Sequence, residues 1–265
     1  MTVGEVIRVL KAAVPNMPEQ GPLSGSNDTL KVGREETEVR GIVTTFLATA
    51  AVIERAAALG ANLIITHEPT FYHHDDTPAT FPGDAVLEQK AKALAAHDIA
   101  IFRYHDFWHM HQPDGIYTGV VRQTGWQTYL EGGSQHVFVL PPTSLGDVAA
   151  QVKKIFGVDT VRVVGDERAL HQRVGLFVGS PGPYWQLPSI TDDKLDLLVC
   201  GEVSEWELAE YVRDARTYGH TLGLIIVGHQ PTEEAGMAYL AEWLEPRLPG
   251  VPVTHVPSGY PLTTI

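Results

Sequence analysis

ANLIITHEPTFYHHDD, Ala61 to Asp76, is the stretch from which the fold is read. Its apolar run, Leu63-Ile64-Ile65, follows Gly60 closely and is too short for a buried helix, so it predicts a strand covered on both faces. His67 and Glu68 come straight off the C-terminal end of that strand. In open α/β sheets the carboxyl ends of strands form the crevice where ligands sit, and both side chains can bind metal. Far downstream, LIIVGHQPT (Leu224 to Thr232) repeats LIITHEPT with a glycine inserted before the histidine, and each copy follows a helical pattern and a glycine. This echo predicts two similar α/β units facing one another, with His67 and His229 sharing one crevice.

Working outward, Val6, Ile7 and Leu10 mark an N-terminal docking helix closed by Pro15, and Asn16 to Thr37 reads as a loop carrying an edge strand near Leu30 to Val32. Strand Ile42 to Leu47 leads into a helix from Ala50 to Leu59, and Asp84 N-caps a helix bearing Val86, Leu87, Ala91 and Leu94. Ile99 to Phe102 is the next strand. It runs into RYHDFWHMHQPDG, a strand end and loop that places His105, Asp106, His109 and His111 close together and aims two of the four inward. The pattern breaks near Tyr129 to Gly133, so lobes are expected at 1–130 and 131–265, the last loop returning to a shared site. The second lobe reads as strand His136 to Leu140, helix Ser144 to Phe156, strands Val161 to Val164, Val174 to Val178 and Leu195 to Cys200, a helix near Glu205 to Tyr218, strand Leu224 to Val227 and a helix through Trp243. Such alternation predicts an α/β fold with mainly parallel or mixed sheets.

The 265 residues are 44% hydrophobic and 19% charged, an ordinary globular composition. A net charge of -13 argues against nucleic-acid or anionic-membrane partners. The one cysteine, Cys200, lies in the apolar run LDLLVC and reads as a small buried hydrophobe. With no basic start followed by an apolar core at the N-terminus, and no bilayer-length apolar run, a soluble cytoplasmic protein is expected.

His67, Glu68, His109, His229 and Glu233 offer three imidazoles and two carboxylates from three strand ends. Such donors suit two divalent ions drawn from zinc, manganese, iron or nickel, and a carboxylate can bridge ions about 3.5 to 4 Å apart. His229 and Glu233 stand four residues apart, so a turn entering a helix points both at one place. The macrodipole alone also explains Glu233 and Glu234 in a first helical turn. His73, His74, Asp75 and Asp76 read as a solvated loop, and the GSPGP turn after Val178 as structural. Neither a G-x-S-x-G nucleophile elbow, a Walker loop nor C-x-x-C spacing is present.

ANLIITHEP, RYHDFWH, LLVCGEV and VGHQPTE together resemble the NIF-three-like dinuclear-metal-centre family, also labelled GTP cyclohydrolase I type 2 homologs. In that family a strand ends in His-His-Pro, a later segment reads His-x-x-x-Asp, and the C-terminal region carries Gly-His-x-x-x-Glu. Gly228-His229 to Glu233 matches the last of these; Glu68 replaces the second histidine of the first, and His109 stands where the acid of the second would be. The two departures are opposite in sense, so the donor total is kept while the carboxylate of one ion moves to its other side. In SNDTLKVG, Thr29 stands where the family has a glycine. The resemblance implies a two-lobed α/β fold, a ring-shaped homohexamer and two ions facing its cavity.

The expected activity is metal-dependent hydrolysis by a metal-bound water, with a nucleotide or small phosphorylated metabolite as the substrate the resemblance suggests. His67 and His229 would hold one ion, Glu68 and His109 the other, and Glu233 would bridge, with His105 as orienter or general base. The rival expectation is a non-catalytic metal-binding assembly that stores metal or presents a partner surface.

Overall fold

The computed structural model describes residues 1–14 and 26–265; Pro15 and the first part of the loop expected after it lie outside the described residues. The chain divides into two compact units, Met1–Gly119 with Gly236–Gly259, and Val120–Ala235 with Tyr260–Ile265.

In the first unit, helix α1 (Val3–Ala12) starts with a reciprocal cap in which Thr2 and Glu5 each accept the other's backbone N–H. Strands β1 (Leu30–Val32), β2 (Ile42–Thr45), β3 (Leu63–Thr66) and β4 (Ala100–Arg103) alternate with helices α2 (Ala50–Ala58) and α3 (Ala85–Ala96). The helices start where oxygen-bearing side chains take orphan N–H groups: Thr49 accepts from Val52, and Asp84 accepts from Val86 and Leu87. All residues of β2, β3 and β4 are buried, which is why they show no alternation of polar and apolar positions. The sheet order is β1-β4-β3-β2 followed by a fifth strand, parallel except for β1. On one face Val43, Ile64 and Ile101 pack against Val52, Ile53, Leu87 and Leu94.

The last strand of that sheet, β10 (Val253–His255), was not expected, and residues 236–259 were expected in the second lobe. Its three residues, only partly buried, carry too short a pattern to read; parallel pairing of Val253 with Ile42 and His255 with Thr44 fixes the strand. The chain leaves the first unit within α5 (Gly115–Thr124) and returns within α9 (His229–Leu244), so the expected boundary after residue 130 falls instead inside a helix.

The second unit carries a sheet ordered β5-β7-β8-β9-β6, formed by β5 (Val137–Ser144), β6 (Arg162–Val164), β7 (Leu170–Phe177), β8 (Leu197–Cys200) and β9 (Gly223–Ile226). Its three central strands are parallel and both edge strands antiparallel. Helix α6 (Leu145–Phe156) is capped by Ser144 and stopped by Gly157 at φ 65°. Helix α7 (Pro183–Asp192) escaped the sequence reading because Pro188 sits inside it. The helix expected at Glu205 to Tyr218 opens with a π-turn, Glu205–Ala209, before α8 (Glu210–Thr217). Cys200 is fully buried, and burial pushes its thiol well above the usual range. Among the described residues no helix is long and apolar enough to cross a membrane.

Candidate metal centre

RYHDFWH does not stay a loop. Asp106–Met110 forms the short helix α4, with His105 at its N-cap position. The helix is held by Phe107 and Trp108, both fully buried, and by Asp28, whose carboxylate accepts the backbone N–H groups of His105, Asp106 and Phe107 at 2.9, 3.1 and 2.7 Å. One carboxylate thus satisfies three orphan donors, where the macrodipole also favours it. Burial nevertheless pushes the Asp28 carboxyl above its ordinary value, against the pull of those hydrogen bonds. Trp108 donates to the Gly236 carbonyl and lies over Gly115, where a Cβ would meet the indole at 2.1 Å.

Spacing of four residues on this helix puts His105 and His109 on one side, toward His67 at the end of β3. The His67 ring stacks on His105 with centroids 4.4 Å apart, and the centroid of His109 is 5.2 Å from His67 and 5.1 Å from His105. One ring nitrogen from each lies within 4.8 Å of the other two. Every Nδ1 faces an oxygen acceptor: Tyr104 O at 3.3 Å for His67, Asp106 Oδ1 at 2.8 Å for His105, and Asp114 Oδ2 at 3.0 Å for His109. A proton on each Nδ1 leaves the lone pair on Nε2, the arrangement in which metal-ligating histidines are commonly held. Of the four polar residues expected here, His105 and His109 point inward; His111 binds the Pro113 carbonyl and packs on Trp108.

The flanking acids are well anchored. Asp106 also accepts from Ser26 Oγ at 2.9 Å, and the His105 hydrogen bond, first among its causes, holds the Asp106 carboxyl well below the usual range. Asp114 uses its second oxygen to accept from Tyr117 N, so the same residue starts α5 and orients His109. The sequence reading singled out neither Asp114 nor Asp28.

Glu68 follows His67, and the two offer ligand atoms within 4.8 Å of each other. Its carboxylate also lies 3.6 Å from the Arg103 guanidinium and 3.7 Å from His105 Nε2. Arg103 is 2% exposed, and its Nε donates to the His67 carbonyl at 3.1 Å. The solvated reading of the next loop holds for His73, His74 and Asp75 but fails at Asp76, which is buried and accepts from Phe71 N at 2.7 Å. Beneath the same loop Lys90, 5% exposed, donates to the Thr70 carbonyl and lies over the Tyr72 ring at 4.4 Å, and burial pushes its ammonium down to about 8.

In the second unit α9 begins at His229, and its Nε2 is 3.0 Å from the carboxylate of Glu233, one turn on. Its Nδ1 is 3.2 Å from Glu202 Oε2, supplied by the LLVCGEV stretch. Glu233 is 3% exposed and lies across Gly179, where a Cβ would meet its Oε1 at 2.0 Å. The first glycine of the GSPGP turn thus makes room for the carboxylate.

Imidazoles with anchored Nδ1 atoms beside carboxylates define an α/β protein whose site residues fit divalent cations. The family model for Duf34/NIF3 (NGG1p interacting factor 3) matches residues 1–259, and the chain belongs to that family. A Chlamydia trachomatis protein named GTP cyclohydrolase 1 type 2 homolog is 24% identical over 253 residues, covering 92% of this chain and 94% of its own. Among solved structures, a Staphylococcus aureus protein shares the fold with a TM-score of 0.77 at 18% identity, covering 100% of this chain and 99% of its own. A Bacillus cereus protein related to NIF3 does so with a TM-score of 0.75 at 16% identity, covering 100% of this chain and 99% of its own.

Proposed function

We propose that this chain binds divalent metal and works as a metal-dependent hydrolase on a nucleotide or another small phosphorylated metabolite. The observation that carries the reading is the imidazole triad of the first unit, in which each Nδ1 meets an oxygen acceptor and one ring nitrogen from each histidine lies within 4.8 Å of the other two. His67, Glu68, His105 and His109 are its candidate donors. His229 and Glu233 are proposed to supply the rest of a two-ion centre, supported by the repeat of strand, histidine and Pro-Thr in the sequence and by their convergence on α9. Zinc, manganese, iron and nickel all suit such donors. A bound ion supplies Lewis acidity and acidifies water.

Around it the chain's own residues do the positioning. Asp106 and Asp114 fix the tautomers and ring planes of His105 and His109. Glu202 does the same for His229. The name carried by the Chlamydia trachomatis relative supports a nucleotide as the substrate class. Family likeness is also the ground for proposing a homo-oligomer, six-membered as the resemblance has it.

The test is a screen of nucleotides and phosphomonoesters with chelator-stripped chain, with and without each of the four metals. Metal-dependent hydrolysis abolished in His67→Asn is the expected result. A chain that binds metal tightly yet hydrolyses nothing would instead favour a metal-binding assembly.

A further inference from the structure

A cavity of about 590 Å³ opens in the second unit, at the carboxyl end of β9. That volume lies in the usual range for small-molecule sites, and ligands of open α/β sheets sit at the carboxyl ends of strands. Its walls come from three places in the chain, all within this unit. Thr160, Val161 and Arg162 enter β6, Val227 and Gly228 lead from β9 into α9, and the segment from Tyr260 to Thr264 closes the remaining side.

The closing segment is fixed at two points. Tyr260 packs on Gly228, where a Cβ would meet the phenol oxygen at 2.6 Å and the ring carbon that bears it at 2.8 Å. Gly228 also has φ 128°, a conformation that side chains rarely adopt, so only glycine lets the ring come this close. At the other point Thr264 Oγ1 and Thr160 Oγ1 share a hydrogen bond of 2.8 Å. Arg162 is engaged by Glu205 of the π-turn.

The lining selects among ligand chemistries. Tyr260 offers an aromatic ring, Val161, Val227 and Leu262 offer aliphatic surface, and the threonines offer hydroxyls that either donate or accept. A flat heteroaromatic base uses all three, stacking on the ring and meeting the hydroxyls along its edge. An alkyl chain would leave the hydroxyls unpaired, and a free phosphate would find one guanidinium that already carries a carboxylate. Position adds a second argument. Gly228 immediately precedes His229, so a base seated here brings its attached sugar and phosphate beside His229 and Glu233, at the N-terminus of α9, where negative charge is favoured.

We infer that this cavity is a nucleobase pocket, with Tyr260 as its stacking residue, and that it makes a nucleotide the substrate in preference to other phosphorylated metabolites. The assignment of the bound nucleotide as substrate rests on the hydrolase reading above; the binding of its base does not.

The experiment is ligand-observed NMR titration of the metal-stripped full-length chain with guanosine, adenosine and ribose, on wild type, Tyr260→Ala, Tyr260→Phe and Thr263→Trp. Unfolding of each variant is recorded alongside. At least one nucleoside is expected to bind about tenfold or more tightly than ribose, the margin that stacking of a base supplies. Tyr260→Ala should weaken the nucleoside about 10- to 100-fold, and Tyr260→Phe, which keeps the ring, should stay within about threefold of wild type. Thr263→Trp fills the cavity from an exposed position and should weaken binding even if Tyr260→Ala loosens the segment.

Nucleosides that bind no better than ribose, or binding that Tyr260→Ala and Thr263→Trp both leave intact, would overturn the inference; metal-dependent hydrolysis of a phosphomonoester by the same chain would then leave the hydrolase reading standing. Nucleoside binding lost in both variants, from a chain that hydrolyses nothing with any metal, would uphold the pocket and overturn the hydrolase reading.

Discussion

Removing the Asp28 carboxylate should unseat α4 and with it two of the three clustered imidazoles. Asp28→Ala leaves three backbone N–H groups, those of His105, Asp106 and Phe107, without their acceptor at a fully buried position. Each stranded donor costs about 1–3 kcal/mol, and partial relaxation of a five-residue helix recovers some of it, so a loss of about 3–5 kcal/mol is expected. Asp28→Asn is the finer probe. Its amide oxygen can occupy the Oδ1 position that serves His105 and Asp106, while its NH2 faces the Phe107 N–H previously bound at 2.7 Å by Oδ2. One charge-assisted bond is then lost and a donor opposes a donor, at a cost of about 2–3 kcal/mol. Urea unfolding of the metal-free chain measures both, and metal affinity should fall in the same order. An Asp28→Ala variant within about 1 kcal/mol of wild type would refute this account of how α4 is held.

Burial that moves the Lys90 ammonium from 10.5 down to about 8 means that the unfolded chain binds a proton the folded chain lacks between those values. Stability should therefore rise with pH across that window, by about 3 kcal/mol from a span of about 2.5 pH units at 1.36 kcal/mol each; unfolding of wild type and Lys90→Met from pH 7.5 to 10.5 isolates the difference, and parallel curves would contradict it. Gly179→Ala places a methyl 2.0 Å from Glu233 Oε1 at a φ of +62°, so it should cost about 1–3 kcal/mol in unfolding experiments and displace the carboxylate, lowering metal affinity as well. Gly115→Ala drives a Cβ to 2.1 Å from the Trp108 indole and should cost a similar amount, with a shift in tryptophan fluorescence as its second readout.

Buried parallel strands were the most legible part of this chain. Leu63-Ile64-Ile65 and Leu224-Ile225-Ile226 read as strands because burial on both faces removes every polar residue from them, and glycines and caps mark their neighbours. Strand β10 and helix α7 were not legible. The first is defined by its partner β2 and not by its own pattern, and the second holds an internal proline that ordinarily argues against a helix.

At the site, His67, Glu68, His109, His229 and Glu233 stood out because histidines and acids at strand ends are chemically conspicuous. The residues that orient them did not. Asp28 lies 77 residues before the nearest N–H it caps, Arg103 looks like an ordinary strand end, and Asp76 looks like part of the polar run that precedes it. Each acquires its role only through contacts that the fold makes.

The most direct test of the central claim is the metal content of the chain purified without chelator, by elemental mass spectrometry, with titration of the stripped protein and of His67→Asn beside it. At least one zinc, manganese, iron or nickel ion per chain, bound at micromolar affinity or tighter and lost in His67→Asn, is the result expected of these donors. A wild-type chain that is metal-free and binds none of the four more tightly than about a millimolar, roughly -4 kcal/mol, would contradict it.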